Sequence, residues 1–453
     1  MSDPHSKAAS GWSMGGRNYV LVLLTLTAAF NFVDRQILGV LLEPIGQEFD
    51  LPDSMLGLLS GIAFAAFYAV LGIPIAVMAD RFNRRKIIVI CIAIFSVMTT
   101  LCGAAANFVQ LFLARIGVGV GEAGTMPASQ SILADLYPVE ERSSAMGLLA
   151  AGGNIGLMLG LLIGGWVNEW FGWRTAFLVA AVPGMLLALT IHFTVREPPR
   201  TTTAMPSTHW FKEAWDGIAL VGRVLSMRRF VMGGTLYGLA AYGIHTWMPV
   251  YYIRYHGMST GEAGTAISII VGVLGGIGAV AGGALCARLS RHDLRWSAWV
   301  PGLAILISVP LLIAMLMTDN TWLALGLFVI PGILSSVYAG PTWAVIQELV
   351  PPNRRAIAVS VYMLIYNLIG LGLGPLAVGI LSDLYIPSIG DESLRWAMIT
   401  VLLVSLGGVT AYYLASRSVI ADVQRQSADA SASQAAPASS TEAAISKERS
   451  REA

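Results

Sequence analysis

The chain has 453 residues, of which 55% are hydrophobic and only 12% are charged, and its formal net charge is +1. A soluble globular protein carries about 25% charged residues, so most of this chain must face something other than water. The balanced charge argues against a nucleic-acid partner. The three cysteines lie singly in apolar runs and predict neither disulfides nor a metal site.

Apolar runs of membrane-spanning length recur twelve times, in two groups of six. A helix needs about 20 mostly apolar residues to cross a bilayer. An open sheet exposed to lipid would leave backbone hydrogen-bonding groups without partners, so these runs are expected to be helices. The first group covers 19–42, 55–79, 87–106, 108–131, 143–167 and 174–195. The second covers 230–253, 264–287, 297–317, 321–345, 356–381 and 394–415. The sequence therefore predicts an all-α membrane protein with six-helix halves at 17–195 and 230–417.

Basic residues mark alternate loops and so predict the orientation. They follow the second, eighth and tenth runs: Arg81, Arg84, Arg85, Lys86, Arg288, Arg291, Arg295, Arg354 and Arg355. The opposite loops carry only Arg174, Arg254 and Arg395. Because short loops rich in Lys and Arg stay in the cytoplasm, both termini are predicted to be cytoplasmic. The compact loops are typical of a bacterial inner (cytoplasmic) membrane protein, and we expect a monomer.

Three segments lie outside the predicted spans. Residues 1–16 form a polar tail, and residues 196–229 link the two halves. In this linker, apolar side chains recur near helical spacing at Phe211, Trp215, Ile218 and Leu225. The pattern predicts an amphipathic helix that lies on the membrane surface or packs beneath the bundle. Residues 418–453 are rich in Ala, Ser and charge, which predicts a disordered tail.

The two halves share a pattern that indicates an internal repeat. Asn154 and Asn367 occupy corresponding places in the fifth and eleventh runs. Each is followed by glycines spaced four residues apart: Gly156 and Gly160, then Gly370 and Gly374. Two parallel six-helix repeats are predicted, with substrate bound between them. Asn154 and Asn367 are therefore candidates for hydrogen bonds across the interface between the halves.

The loop after the second run has the sequence Asp80-Arg81-Phe82-Asn83-Arg84-Arg85. It resembles the G-x-x-x-D-R-x-G-R-R loop of the major facilitator superfamily, with Ala76 and Asn83 in place of the glycines. We call Asp80, Arg81, Arg84, Arg85 and, in the second repeat, Arg288 the predicted latch. Asp80 would pair with a helix N-terminus or an Arg across the bundle and hold one conformation. Alternatively, these residues only set the topology.

Charged residues are buried in the first and fourth runs, as Asp34 and Arg35, then Arg115 and Glu122. Such charges are costly in a membrane unless they are paired or wetted. Arg115 and Glu122 lie two turns apart on one helix face, so Asp34 would pair with Arg115, or Arg35 with Glu122. An Arg can hold an anion bidentately, and a buried carboxylate can exchange a proton. The alternative is a static ion pair that only fixes packing.

The segments Asn31-Phe-Val-Asp34-Arg35 and Arg115-x-Gly-x-Gly-x-Gly-Glu122, together with the latch loop, resemble the spinster family of that superfamily. The resemblance covers most of the N-terminal half. It implies the major facilitator fold and transport of lysophospholipid- or sphingolipid-like anions, in several members with proton coupling. It also implies that Asp34 and Glu122 are the protonation sites. Arg35 and Arg115 would be their partners or would bind the headgroup, beside Asn31.

Weaker candidates for the substrate pocket are Tyr242 and His245 in the seventh run and Tyr366 in the eleventh. Each is equally compatible with packing. The favoured hypothesis is a proton-coupled transporter of a lipid-like anion. The second keeps the fold but imports a small organic anion, such as a sugar acid, with protons. The third is a membrane enzyme or receptor. It is disfavoured because neither a catalytic constellation nor a P-loop is seen, so no cofactor is predicted.

Overall fold

A computed structural model of the chain describes residues 14–200, 219, 221–351 and 354–435. These residues are helical almost throughout, and no strand occurs among them. The N-terminal half contains α1 (Met14–Phe49), α2 (Asp53–Ser60), α3 (Ile62–Arg81), α4 (Arg84–Gly103), α5 (Phe108–Glu122), α6 (Thr125–Leu136), α7 (Val139–Phe171) and α8 (Trp173–Thr194). The second half repeats this arrangement with more interruptions.

Its helices are α9 (Leu225–His256), α10 (Thr260–Ile267), α11 (Gly275–Ser290), α12 (Trp296–Met317), α13 (Thr321–Leu334), α14 (Ala339–Glu348), α15 (Arg355–Tyr366), α16 (Gly374–Ile389) and α17 (Ser393–Ser416). π-helical turns, Ser268–Leu274 and Asn367–Leu373, join α10 to α11 and α15 to α16. A last helix, α18, covers Val419–Ala435.

Nine stretches of the described chain are long and apolar enough to cross a membrane. One of them, Ile357–Ser416, contains both α16 and α17 and the turn between them. The α5–α6 segment is not among the nine, because a break at Ala123 and Gly124 divides it into helices of 15 and 12 residues. Exposed apolar side chains on the outer faces of these helices, such as Phe193 and Val280, suit contact with lipid.

The two halves meet mainly toward one end of the bundle, where α2 begins; we call this the Asp53 end. There α2 packs on α16 and α10 packs on α7, while α1 packs on α9 along the middle of the molecule. The opposite end, where α3 passes to α4, is called the Arg84 end. The hydrogen bonds and ion pairs that join the halves of the described chain cluster at the Asp53 end.

The prediction of a disordered tail over 418–453 is wrong for the residues of α18. Val419 is fully buried, and Ile420 and Val423 pack against the core of the bundle. Asp422 accepts hydrogen bonds from the backbone N–H and the hydroxyl of Ser226 in the first turn of α9. These contacts, with a composition rich in alanine, stabilise a helix that hydropathy alone does not indicate. Most of the predicted linker helix falls at 201–218 and 220, outside the described residues.

Candidate functional site

The buried charges of α1 and α5 form both of the pairs that the sequence allowed. Asp34 Oδ2 accepts a hydrogen bond of 2.7 Å from Arg115 Nη1, and its Oδ1 accepts one of 2.6 Å from the Thr99 hydroxyl. The Asp34 carboxylate and the Arg115 guanidinium are each about 2% exposed. Because both carboxylate oxygens are bonded, this pair can remain charged in an interior that would otherwise disfavour it.

The second pair joins Arg35 to Glu122 and leaves part of the carboxylate free. Arg35 Nε donates to Glu122 Oε2 at 2.8 Å. Glu122 is completely buried, and its Oε1 has no hydrogen-bond partner among the described residues. A buried carboxylate oxygen without a donor is costly, and binding a proton there removes the cost. Arg35, at 15% exposed, is the more accessible partner.

The break between α5 and α6 places Glu122 at a helix end. The Thr125 hydroxyl, in the first turn of α6, donates to the Glu122 carbonyl at 2.9 Å and accepts from Asn31 at 2.5 Å. Asn31 therefore ties α1 to the break. A side chain at Gly119 or Gly121 would collide with neighbouring backbone, so the alternating glycines let α3 and α4 approach α5 from both sides.

Aromatic rings surround the accessible guanidinium of Arg35. Its central carbon lies 5.2 Å from the ring centroid of Phe32, 4.6 Å from that of Phe64 and 4.5 Å from that of Tyr68. Cation–π contacts of this kind stabilise a guanidinium that has little water around it. Sequence reasoning did not single out Phe64, Tyr68 or Thr99, because none belongs to a charged motif.

The second half contributes a group of packed tyrosines, one of which lies near Arg35. Tyr242 is within electrostatic range of Arg35, and its ring packs on Tyr366 at 5.7 Å. The hydroxyls of Tyr366 and Tyr338 are hydrogen-bonded to each other. Tyr242 and Tyr366, both predicted from sequence, thus lie on the opposite side of the interface from the charge cluster. Their phenols can offer hydrogen bonds and apolar ring faces to one ligand.

Three other predicted site residues lie apart from this cluster. His245 lines a small cavity inside the second half, together with Ser308, Phe328 and Ser405. Asn154 is exposed on α7, whereas Asn367 is partly buried where the π-helical turn begins. Neither asparagine has a described side-chain hydrogen bond to the other half. The hydrogen bonds predicted for Asn154 and Asn367 across the interface are therefore not seen among the described residues.

The latch residues make their described contacts within the N-terminal half and the start of the linker. Arg84 is buried and binds Asp135 on α6 and Glu197, with the Glu197 bond at 2.8 Å. Arg85 donates to the Val195 carbonyl and, through its backbone N–H, to Glu197. Asn83, which replaces the usual glycine, caps α4 by accepting from the Lys86 N–H. Arg81 and Arg288 are exposed, and the Asp80 side chain lies outside the described part.

An ion-pair network closes the Asp53 end. Arg254 of the second half donates to both oxygens of Asp53, at 2.8 and 2.9 Å, and to Glu43 of α1 at 2.6 Å. Ser382 also donates to Asp53, at 2.7 Å. Asp53 and Glu43 are 6% and 8% exposed, which makes these pairs stronger than surface ones. Sequence reasoning treated Arg254 only as an orientation signal.

Comparison with known proteins assigns the fold to a family. The family model described as Major Facilitator Superfamily matches residues 24–375. The chain belongs to the Major Facilitator Superfamily. It is 30% identical over 402 residues to an MFS-type efflux pump of Mycolicibacterium smegmatis, covering 88% of this chain and 93% of the relative. Members of this superfamily are transporters, so the chain is a multi-pass membrane transporter and not an enzyme.

A solved spinster homologue is similar along nearly the whole chain. It is a bacterial homologue of the human lysosomal transporter Spinster in an inward-facing, unoccupied conformation, with 31% sequence identity and a TM-score of 0.83. The match covers 91% of this chain and 99% of the other. This facilitator is also 27% identical over 363 residues to the cis,cis-muconate transport protein of Acinetobacter baylyi, covering 77% of this chain and 84% of the relative. The predicted resemblance to the spinster family is confirmed.

Proposed function

We propose that this facilitator is a proton-coupled secondary transporter that moves an amphiphilic, lipid-like anion by alternating access. It would work as a monomer in the bacterial inner membrane, with twelve crossings. Nine apolar stretches support this number: one of them contains two helices, and α5–α6 and α9 would supply the two remaining crossings. The basic loops support a cytoplasmic position for the Arg84 end and both termini, with the Asp53 end outside.

The observation that carries the proposal is the Arg35–Glu122 pair, with its unbonded Glu122 Oε1. A proton on Glu122 neutralises the carboxylate and weakens its bond to Arg35. The released guanidinium can then bind an anion bidentately. An anion on Arg35 in turn displaces Glu122 and favours its protonation. Proton and anion would therefore bind cooperatively and move in the same direction.

The surroundings of Arg35 support an amphiphilic anion. The guanidinium supplies the positive charge, while Phe32, Phe64 and Tyr68 supply an apolar wall around it. Tyr242 interacts with it from the other half, and the ring of Tyr242 packs on Tyr366. A headgroup with an attached hydrocarbon chain would use both features, since polar contacts orient a ligand and apolar walls bury it.

The second candidate is a small organic anion, favoured by the similarity to a muconate transporter. A sugar acid or a dicarboxylate would use Arg35 in the same way but would not need the apolar wall. The two candidates share the fold, the proton step and the guanidinium, so they differ only in the hydrophobic part of the cargo.

The test is transport by the purified full chain in liposomes with an imposed pH gradient. A fluorescent lysophospholipid is compared with cis,cis-muconate and glucarate. Gradient-driven movement of the lysophospholipid that is lost in Glu122→Gln supports the proposal. Movement of the small acids alone supports the second candidate. Transport that ignores the gradient contradicts proton coupling for either cargo.

A further inference from the structure

Two acidic side chains close the Asp53 end by capping helices of the opposite half. Glu169 lies near the C-terminal end of α7 in the first half, and Asp383 lies just past the middle of α16 in the second. Each reaches across the interface to the first turn of a partner helix. These are α10 for Glu169 and α2 for Asp383, the helices that open the eighth and second apolar runs.

At the first contact, Glu169 Oε2 accepts the Ser259 hydroxyl at 2.6 Å and the Gly261 N–H at 3.1 Å. Glycines allow the two helices to touch backbone to backbone. A Cβ atom on Gly165 would collide with the Thr260 carbonyl, and one on Gly264 would collide with the Leu161 carbonyl.

At the second contact, the two oxygens of Asp383 accept the backbone N–H groups of Asp53 and Ser54, each at 2.9 Å. The glycines have the same roles. A Cβ atom on Gly379 would collide with the Asp53 carbonyl, and one on Gly57 would collide with the Pro375 carbonyl. In both contacts a carboxylate meets the positive end of a helix, where free N–H groups and the helix dipole favour it.

The two contacts have the same residue spacing. On one side the pattern is Leu161-x3-Gly165-x3-Glu169 and Pro375-x3-Gly379-x3-Asp383. On the other it is Thr260-x3-Gly264 and Asp53-x3-Gly57. The first pattern presents a carbonyl, a glycine and an acid on one helix face, and the second presents a carbonyl and a glycine, because residues four apart are neighbours there. The internal repeat has therefore placed the same contact on both sides of the interface.

We infer that outer closure of this transporter is made by one Gly-acid module used twice, and that both copies must form for the Asp53 end to close. The inference rests on the proposed function only in assigning that end to the outside. Two rigid halves that meet at a pair of symmetric contacts cannot come fully together at the Asp53 end when either contact is blocked. The Arg254 ion pairs strengthen only the copy at α2.

The first experiment wedges each copy open. Spin labels at Val109 and Trp322, both exposed and in opposite halves, report the width of the Asp53 end in the full chain without its native cysteines. Gly165→Ala and Gly379→Ala should each cause loss of the short-distance population, by similar amounts. The control is Gly276→Ala, because nothing lies within 4 Å of a Cβ there. An unchanged distance in either wedge variant would overturn the inference.

The second experiment removes the acids and leaves the glycines in place. Glu169→Ala and Asp383→Ala should each shift the same distance toward the open population, and Glu169→Gln and Asp383→Asn should restore part of the closed one. The amides retain an acceptor oxygen for the helix N–H groups but lack the charge. An effect of only one acid would mean that the two contacts are not equivalent. These distances are measured without substrate, so normal gating with no lipid transport would contradict the proposed function alone.

Discussion

Glu122 combines three properties that a coupling residue needs within one side chain. It is completely buried, it is bonded to a guanidinium through one oxygen, and its other oxygen has no described donor. Asp34 differs, because both of its oxygens are bonded by Arg115 and Thr99. The sequence suggested the two carboxylates as equal candidates. The geometry favours Glu122 as the residue that changes its protonation, with Asp34 as the residue that orients Arg115.

Glu122→Gln should uncouple transport from protons, because glutamine cannot ionise and resembles the protonated acid in shape. We expect gradient-driven uptake to be lost while anion binding and exchange at equal pH persist, since Arg35 stays free of a carboxylate. Uptake and exchange are measured in the same liposomes. Glu140→Gln, at an exposed carboxylate in the first turn of α7, is the matched control. Gradient-driven uptake that survives in Glu122→Gln would assign coupling to another group.

Arg35→Ala should weaken an anionic ligand about tenfold or more, the usual loss when a charged hydrogen-bond donor is removed. A neutral ligand of the same chain length should bind almost as before. The variant leaves Glu122 buried without its partner, so Arg35→Ala is also made with Glu122→Gln. Binding is measured by isothermal titration with both ligands. Equal losses for the two would mean that Arg35 supports the fold and does not recognise charge.

At the scale of helices, hydropathy predicted the positions of most elements but not where they break. The predicted span 108–131 is divided at Ala123 and Gly124, next to Glu122. Glycines precede and form this break, and neighbouring helices pack closely against them. The π-helical turn at Asn367 was also not predicted. In the first repeat Gly156 lies two positions after Asn154, whereas in the second Gly370 lies three positions after Asn367. The π-helical turn explains this difference, because a π turn accommodates one extra residue.

The helix α18 also shows why composition misled the prediction for the tail. Its residues are mostly small or charged, as in disordered segments, but the few apolar ones are packed against the bundle. Such docking depends on a complementary surface formed by distant residues, which the local sequence does not contain. The same holds for Thr99 and Tyr68, whose roles come only from being placed beside Asp34 and Arg35.

Asp422→Ala should loosen α18 from the bundle. Asp422 bonds both the N–H and the hydroxyl of Ser226, so its loss removes a cap from the first turn of α9. Caps of this kind contribute about 1 kcal/mol. We expect a lower Tm in thermal unfolding and unchanged substrate affinity. Gln424→Ala, at an exposed position on the same helix, is the control. An unaltered Tm for Asp422→Ala would mean that α18 adds nothing to stability.

For the whole molecule, the sequence predicted the architecture but not the conformation. The repeat, the basic loops and the buried charges belong to every state of a facilitator. By contrast, Arg254 can pair with Glu43 and Asp53 only in a conformation in which the two halves touch at this end. The structure joins the halves at the Asp53 end and resembles an inward-facing spinster homologue. The described contacts therefore close the Asp53 end, and alternating access, as proposed, requires these contacts to break.

This requirement is tested by joining the halves covalently at the Asp53 end. Asn168 and Thr260 lie in opposite halves, and their side chains are hydrogen-bonded at 3.0 Å. In a background without the three native cysteines, Asn168→Cys and Thr260→Cys are joined by a short thiol-specific cross-linker. Transport should stop and return on reduction, whereas binding from the Arg84 end should continue, because closing one end leaves the Arg35 site accessible from the other. Each single cysteine variant controls for the reagent. Transport that continues in the cross-linked protein would rule out alternating access through this gate.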